Sequence, residues 1–169
     1  DGFISYGVNF RPTMWPSSEA AIQAARDVLP FCVVVKVNEE ELQLITGRSD
    51  PQEGGRAILA LGCQLSLITL GERGAHYVTH HQSGYLPAYR VKTIDAVGCG
   101  DSFLGAMLHQ LTQAESLDAA LASGEIESML RFAMAAGALT STKRGAMPAL
   151  PTRTEVEFFL NHTHEKEEL

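Results

Sequence analysis

A chain of 169 residues with 45% hydrophobic and 20% charged side chains can bury a core without a disulfide or a structural metal. Its formal net charge of -7, with no run of Lys and Arg, leaves no electrostatic footprint for nucleic acid or an acidic membrane surface. Small-molecule chemistry in one compact domain is therefore the expectation.

In chain order, "GFISYGV" reads as a strand and "RPTMWPSS" as a Pro-punctuated loop, after which Ser17 or Ser18 can cap a helix through "EAAIQAARDVL". "FCVVVKV" is a continuous apolar run of the kind that fills a parallel strand covered on both faces, and "NEEELQLITG" follows as a short helix closed by Gly47. The pattern then repeats: a helix "PQEGGRAILALG" with Pro51 in its first turn feeds the strand "QLSLITLG". "AHYVTH" and "SGYLPAY" form a predicted hairpin with "HQSG" between them. Helices are predicted at "DSFLGAMLHQLTQ", "ESLDAALAS" and from Glu125 to about Thr142, where Ile126, Met129, Leu130, Ala133, Ala136 and Gly137 recur at helical spacing. The tail "TRTEVEFFLNHTHEKEEL" is amphipathic and then strongly charged, so its end is expected to fray. Alternating strands and helices predict an α/β layered fold with a largely parallel sheet.

Cys32, Cys63 and Cys99 are odd in number and widely spaced, without a C-x-x-C pair, which suggests neither a disulfide framework nor a zinc site and fits a reducing cytoplasm. The six histidines show no ligand spacing. No apolar stretch approaches transmembrane length, and "DGFISYGVNF" lacks the plan of a signal peptide, so a soluble, cytoplasmic protein is expected. The chain opens on Asp1 with residues that already read as a strand, so it is expected to be cut from something longer.

The stretch "TIDAVGCGDSFLGAM", Thr93 to Met107, carries the chemistry. Two glycines just before a helix let the backbone turn tightly and bring bare N–H groups up to a ligand, while the helix dipole adds positive potential at the same point. An aspartate beside such an anion hole is electrostatically awkward unless it takes a proton from a nucleophile attacking a phosphate, which makes Asp101 a candidate base. The competing reading is a Gly-rich turn with an Asp cap, and the heptad alone leaves both open. The third glycine of G-x-G-x-x-G is absent, as is any G-x-x-x-x-G-K-[ST], so two common phosphate loops are excluded, and a dinucleotide-dependent oxidoreductase is a poor reading.

These residues resemble the signature of the ribokinase-like, or PfkB, carbohydrate kinases, usually D-T-x-G-A-G-D-x-F. Further segments match in order: "KVNEEELQLITG" resembles the N-x-x-E region, "ITLGERGAHYV" the T-x-G-x-x-G strand and turn, "STKRGAMPALP" the closing loop, and "ISYGVNFRPTMW" the D-x-N-x-R-P-x-x-W segment of fructokinase-type members. The resemblance covers nearly the whole chain. It implies a three-layer ribokinase-like fold, with a largely parallel sheet flanked by helices, and ATP-dependent phosphorylation of a small sugar, a fructose-type ketose first, with 2-keto-3-deoxygluconate or a nucleoside as alternatives.

By the same resemblance Asp101 deprotonates the sugar hydroxyl, and Gly98, Cys99 and Gly100 supply amides to the transferred phosphoryl group. Asn38 and Glu41 organise Mg²⁺ through water, although any "NEEE" also reads as a helix cap followed by solvated acids. Thr69, Gly71 and Gly74 line the nucleotide phosphates, Met134 packs near the base, and Arg11 with Asn9 reaches the phosphate or substrate. Asp95 and the loop around Gly145 lie where members bind a monovalent cation such as K⁺. Gly7 stands where the D-x-N-x-R pattern has Asp, Met134 where relatives often carry Asn, and Cys99 where they carry Ala. A cysteine at a helix N-terminus can have a lowered pKa that makes the site oxidisable, but the favoured reading of Cys99 is a small buried space-filler.

Nothing in the chain resembles the N-terminal half of the family, which builds most of the sugar site and its lid. The expectation is thus one C-terminal nucleotide-binding and catalytic part over 1–169, inactive as an isolated kinase for want of a positioned hydroxyl. Its open sheet edge is expected to invite pairing with another copy or with a separate N-terminal portion. A reading of another class is a non-catalytic nucleotide-binding or interaction module.

Overall fold

The computed structural model describes residues 2–122 and 124–164. The chain divides into two compact units, Asp1–Tyr85 and Leu86–Leu169. Strands β1 (Ser5–Gly7), β2 (Val34–Asn38), β3 (Leu65–Thr69), β4 (Ala75–Thr79) and β5 (Ser83–Leu86) form one mixed open sheet in sequence order, flanked by helices. β1, β2 and β3 run parallel, and β4 returns antiparallel to β3. The predicted parallel character therefore holds up to β3 and reverses where a tight turn replaces a crossover helix.

Three helices belong to the first unit: α1 (Ser18–Val28), α2 (Glu39–Thr46) and α3 (Pro51–Leu59). Ser17 is the cap of α1, its Oγ accepting from Ala20 N at 3.2 Å. Gly47 ends α2 in the left-handed conformation at φ 72°, as a helix-stopping glycine does. Asp50 caps α3, and Pro51 takes its first position, where a missing N–H costs nothing.

The core of this unit lies between the helices and one face of the sheet. Val35, Val37, Ile68 and Val78 from the strands meet Ala25, Leu42, Ile45, Ile58 and Leu59 from the helices, all buried. The opposite face is buried as well: Val34, Leu65 and Leu67 are fully inaccessible. That two-sided burial is why "FCVVVKV" and "QLSLITLG" are apolar without alternation. Close approach of α3 depends on its paired glycines. A methyl at Gly54 would stand 2.6 Å from Leu42 Cδ1, and one at Gly55 would stand 2.4 Å from Val78 Cγ2.

The second unit is helical: α4 (Cys99–Gln113), α5 (Leu117–Ala122), α6 (Ile126–Ser141) and α7 (Arg153–His164). α4 and α6 pack closely because α6 presents small residues. A methyl on Gly137 would lie 3.3 Å from Cys99 O. The contact is pinned by a buried hydroxyl pair, Ser102 Oγ to Thr140 Oγ1 at 2.9 Å, with the Thr140 hydroxyl also 2.8 Å from Ala136 O. α7 closes the other side of α6, where Phe132, Ala135, Ala136 and Val156 are buried and Tyr89 meets Phe159 edge-on at 5.2 Å. The expected fraying of the charged tail concerns residues 165–169, which lie outside the described residues.

Gly55→Ala is expected to lower the unfolding free energy by about 1–2 kcal/mol, because the clash with Val78 outweighs the ~1 kcal/mol gain in helix propensity. Denaturant titration measures this directly, and an unchanged midpoint would show that α3 can shift outward.

Candidate functional site

Each unit carries its own group of the residues singled out by sequence. In the first, they collect at the carboxyl ends of the parallel strands. Asn38 ends β2 beside Thr69 at the end of β3. Asn38 and Glu41 form a reciprocal capping box at the start of α2: Glu41 N donates to Asn38 Oδ1 at 2.8 Å, and Asn38 N donates to Glu41 Oε2 at 2.8 Å. The remaining oxygen, Oε1, accepts from Phe10 N at 2.9 Å. Glu41 is thus a buried carboxylate at 3% exposure, not one of a set of solvated acids. Its third bond, to the chain leaving β1, has no trace in the "NEEE" pattern.

The segment after β1 is bent at Asn9, the one non-glycine among the described residues with positive φ, at 45°. Asparagine tolerates this region better than most side chains. Arg11 follows, exposed, with Nη1 donating to Phe10 O at 3.0 Å. Thr69 donates to Val37 O at 3.3 Å. The turn after β3 uses two left-handed glycines, Gly71 at φ 59° and Gly74 at φ 115°. An Arg73–Glu39 ion pair ties that turn to the start of α2, and the Tyr85 hydroxyl donates to Arg73 O.

In the second unit the sequence set gathers at the start of α4. Gly98 is the N-cap of α4 at φ 80°, and no side chain caps this end. The glycine is required twice over, by its conformation and because a methyl there would stand 2.9 Å from Ala146 Cβ. Cys99 and Gly100 follow in the first turn, half-buried, and Asp101 lies in the same turn with its side chain exposed. Asp101 is therefore a first-turn acid, not the N-cap.

Asp95 joins this terminus to the closing loop. Its carboxylate accepts from Val97 N at 3.0 Å and from Gly145 N at 3.0 Å, so the sequence pairing of Asp95 with Gly145 is a direct contact. Those bonds, with the nearby Arg144 charge, hold its pKa below the usual carboxylate range. Gly145 has φ 87°. Met134 sits in α6, buried at 8% exposure and about one helical turn from Gly137, which meets the α4 start.

Burial, and then the negative charge of Asp95, push the Cys99 thiol up, so the helix terminus does not activate it. Its sulfur lies 3.8 Å from Asp95 O, as suits a space-filling thiol with a weak donor.

The pfkB family carbohydrate kinase model matches residues 4–153. The chain belongs to the pfkB family. Fructokinase-2 of Solanum habrochaites is 38% identical over 153 residues, which are 90% of this chain and 46% of that protein. A fructokinase from Xylella fastidiosa solved with bound ATP has a TM-score of 0.86 at 31% identity, covering 96% of this chain and 52% of that one. A double mutant of Vibrio cholerae O395 fructokinase, solved with fructose, ADP and potassium ion, has a TM-score of 0.84 at 32% identity, with 94% and 50% covered. This pfkB chain thus spans about half the length of these relatives.

Two tests follow. Glu41→Ala leaves the part-buried amides of Asn38 and Phe10 without their acceptor and is expected to cost about 1–3 kcal/mol in denaturant unfolding. Because the Asp95 pKa is depressed in the fold, its stabilising contribution is complete above the unfolded value near 4 and is lost as pH falls through the folded value. Asp95→Asn should accordingly flatten the acid limb of a stability–pH profile, and an unchanged limb would remove the bonds to Val97 and Gly145 from the account.

Proposed function

We propose that this chain is the nucleotide-binding and catalytic portion of an ATP-dependent sugar kinase, acting on a primary hydroxyl of a fructose-type ketose. The observation that carries the proposal is the start of α4: an uncapped helix N-terminus, opened by a left-handed glycine, with an exposed carboxylate in its first turn. Such a terminus suits an anion, since its amides and dipole meet negative charge. A carboxylate beside it repels a phosphate at rest and becomes useful when a proton must leave the attacking hydroxyl.

In this reading Asp101 takes the proton from the sugar hydroxyl as its oxygen bonds to the terminal phosphorus of ATP. The bond from that phosphorus to the bridging oxygen breaks, and ADP leaves. Gly98, Cys99 and Gly100 place backbone amides toward the charge on the transferred group, Arg11 and Asn9 reach the phosphate or substrate, Thr69, Gly71 and Gly74 line the nucleotide phosphates, and Met134 packs toward the base.

Mg²⁺, when bound, neutralises charge on the phosphates. Among the described residues no group of three His, Cys, Asp or Glu is placed to hold a metal. Both oxygens of Glu41 already accept from backbone amides, so the donor set does not fit direct coordination and fits contact through water, with the phosphates as the inner ligands. At Asp95 and Gly145 the carboxylate is spent on amides, which leaves backbone carbonyls to face a monovalent cation.

The test joins this chain to the remaining portion of a fructokinase and measures fructose phosphorylation with ATP. Asp101→Asn is expected to lower kcat by roughly 10²–10⁴-fold with nucleotide binding retained, and undiminished turnover would overturn the role of Asp101. The 169-residue chain by itself should bind nucleotide and phosphorylate sugar poorly, because a base without a positioned hydroxyl has lost the advantage of proximity.

A further inference from the structure

Two of the three free cysteines stand together at the amino ends of β2 and β3. Cys32 and Cys63 each come two residues before the first paired residues of their strands, Val34 and Leu65. One residue further on, Val33 O accepts from Gln64 N at 3.0 Å and from Leu65 N at 2.9 Å, so the two segments already run side by side there. Both cysteines belong to the helix-side core with Val35 and Ile68. The chain bends at Val33 and at Gln64, which turns both side chains to that face against simple strand alternation.

The thiols are held by one short turn, Leu29–Phe31, and the residue before it. Cys32 Sγ donates to Val28 O at 3.3 Å, and Cys63 Sγ donates to Leu29 O at 3.3 Å. Leu29 O also accepts from Cys32 N at 3.0 Å, so a single carbonyl joins the Cys63 sulfur to the Cys32 backbone. Neighbouring strands lie about 4.8 Å apart, inside the ~4.4–6.8 Å Cα separation that a disulfide spans. Cys63 is fully inaccessible and Cys32 is 2% exposed, yet each directly follows an exposed residue, Gly62 and Phe31. The pair therefore lies one residue below the surface, at the opposite end of the strands from Asn38 and Thr69.

We propose that Cys32 and Cys63 are an oxidation site that closes to an intrachain disulfide under a peroxide-class oxidant. The proposal does not rest on the kinase reading. A peroxide oxygen bonds to the Cys32 sulfur, the more accessible of the two, as the O–O bond breaks, giving a sulfenic acid and one water. The Cys63 sulfur then attacks the Cys32 sulfur, the S–O bond breaks, and the hydroxyl leaves with the Cys63 proton as a second water. Two thiols are oxidised by two electrons, and the peroxide is reduced to two waters. Burial, and then the neighbouring Cys32, push the Cys63 thiol up to about 12, so closure is slower than at an exposed thiolate. The new bond ties β2 to β3 around the segment that holds α2 and α3.

The test treats the reduced, folded chain with hydrogen peroxide, alkylates the remaining thiols in denaturant and maps the peptides without reductant. A Cys32–Cys63 linked peptide that dithiothreitol separates is expected, with neither cysteine alkylated. In a Cys99→Ala chain the oxidised protein should be about 2 Da lighter than the reduced one. The same treatment in urea should give all three pairings of the wild-type cysteines, whereas the folded chain gives the Cys32–Cys63 link alone. Cys32 and Cys63 still alkylated once Cys99 has been oxidised, either of them carried separately to a sulfinic acid, or the same mixture of links from folded and unfolded chain overturns the proposal. Cys32→Ser should leave Cys63 open to alkylation after peroxide, and its loss there overturns the pairing. Should Cys32→Ser fail to fold, the links of the wild-type chain decide alone. No nucleotide or sugar is present, so failure here leaves the role of Asp101 untouched.

Discussion

A carboxylate taken out of water must have its oxygens met by donors, or its burial costs more than a small fold can recover. Glu41 satisfies that requirement with two backbone amides from two distant parts of the chain. Through Asn38 it sets where β2 stops and α2 starts. Through Phe10 it fixes the path of the chain after β1. The parallel strands therefore end at defined points, and whatever lies at their carboxyl ends is held by one side chain. The Arg73–Glu39 pair adds little energy at the surface, yet it fastens the turn after β3 to the same helix.

Asp95 does in the second unit what Glu41 does in the first. It is an acid whose oxygens are occupied by amides, one from its own turn and one from fifty residues on. The two acids that shape the candidate sites are thus structural. Asp101, in the first turn of α4, is exposed instead.

Much of the fold was legible because its signals are local. Ser17, Gly47 and Pro51 mark helix ends by chemistry acting within a few residues, and two-sided burial leaves an unbroken apolar run in β2 and β3. The start of α4 was legible as a glycine turn into a helix, with Gly98 as its N-cap, although Gly100 falls inside the first turn. What stayed hidden depends on partners far along the chain. The bond from Phe10 to Glu41 crosses 31 residues, and nothing near Ala146 announces that it packs on Gly98. The bend at Asn9 is a conformation, not a composition. At Cys99 the burial and the neighbouring Asp95 charge act against the helix terminus and raise the thiol's pKa.

The short return from β3 to β4 has a consequence for which lengths of chain this sheet can accept. Helix-bearing connections absorb an extra residue by lengthening a loop. The link through Gly71–Arg73 cannot, because the register on both sides is fixed by Thr69 opposite Ala75. One inserted residue would turn every side chain of β4 to the other face, bringing half-exposed His76 to the place of buried Tyr77. Insertions that persist in descendants of this gene should therefore accumulate in the stretches leading into β2 and β3 and leave the turn at Gly71 unchanged in length.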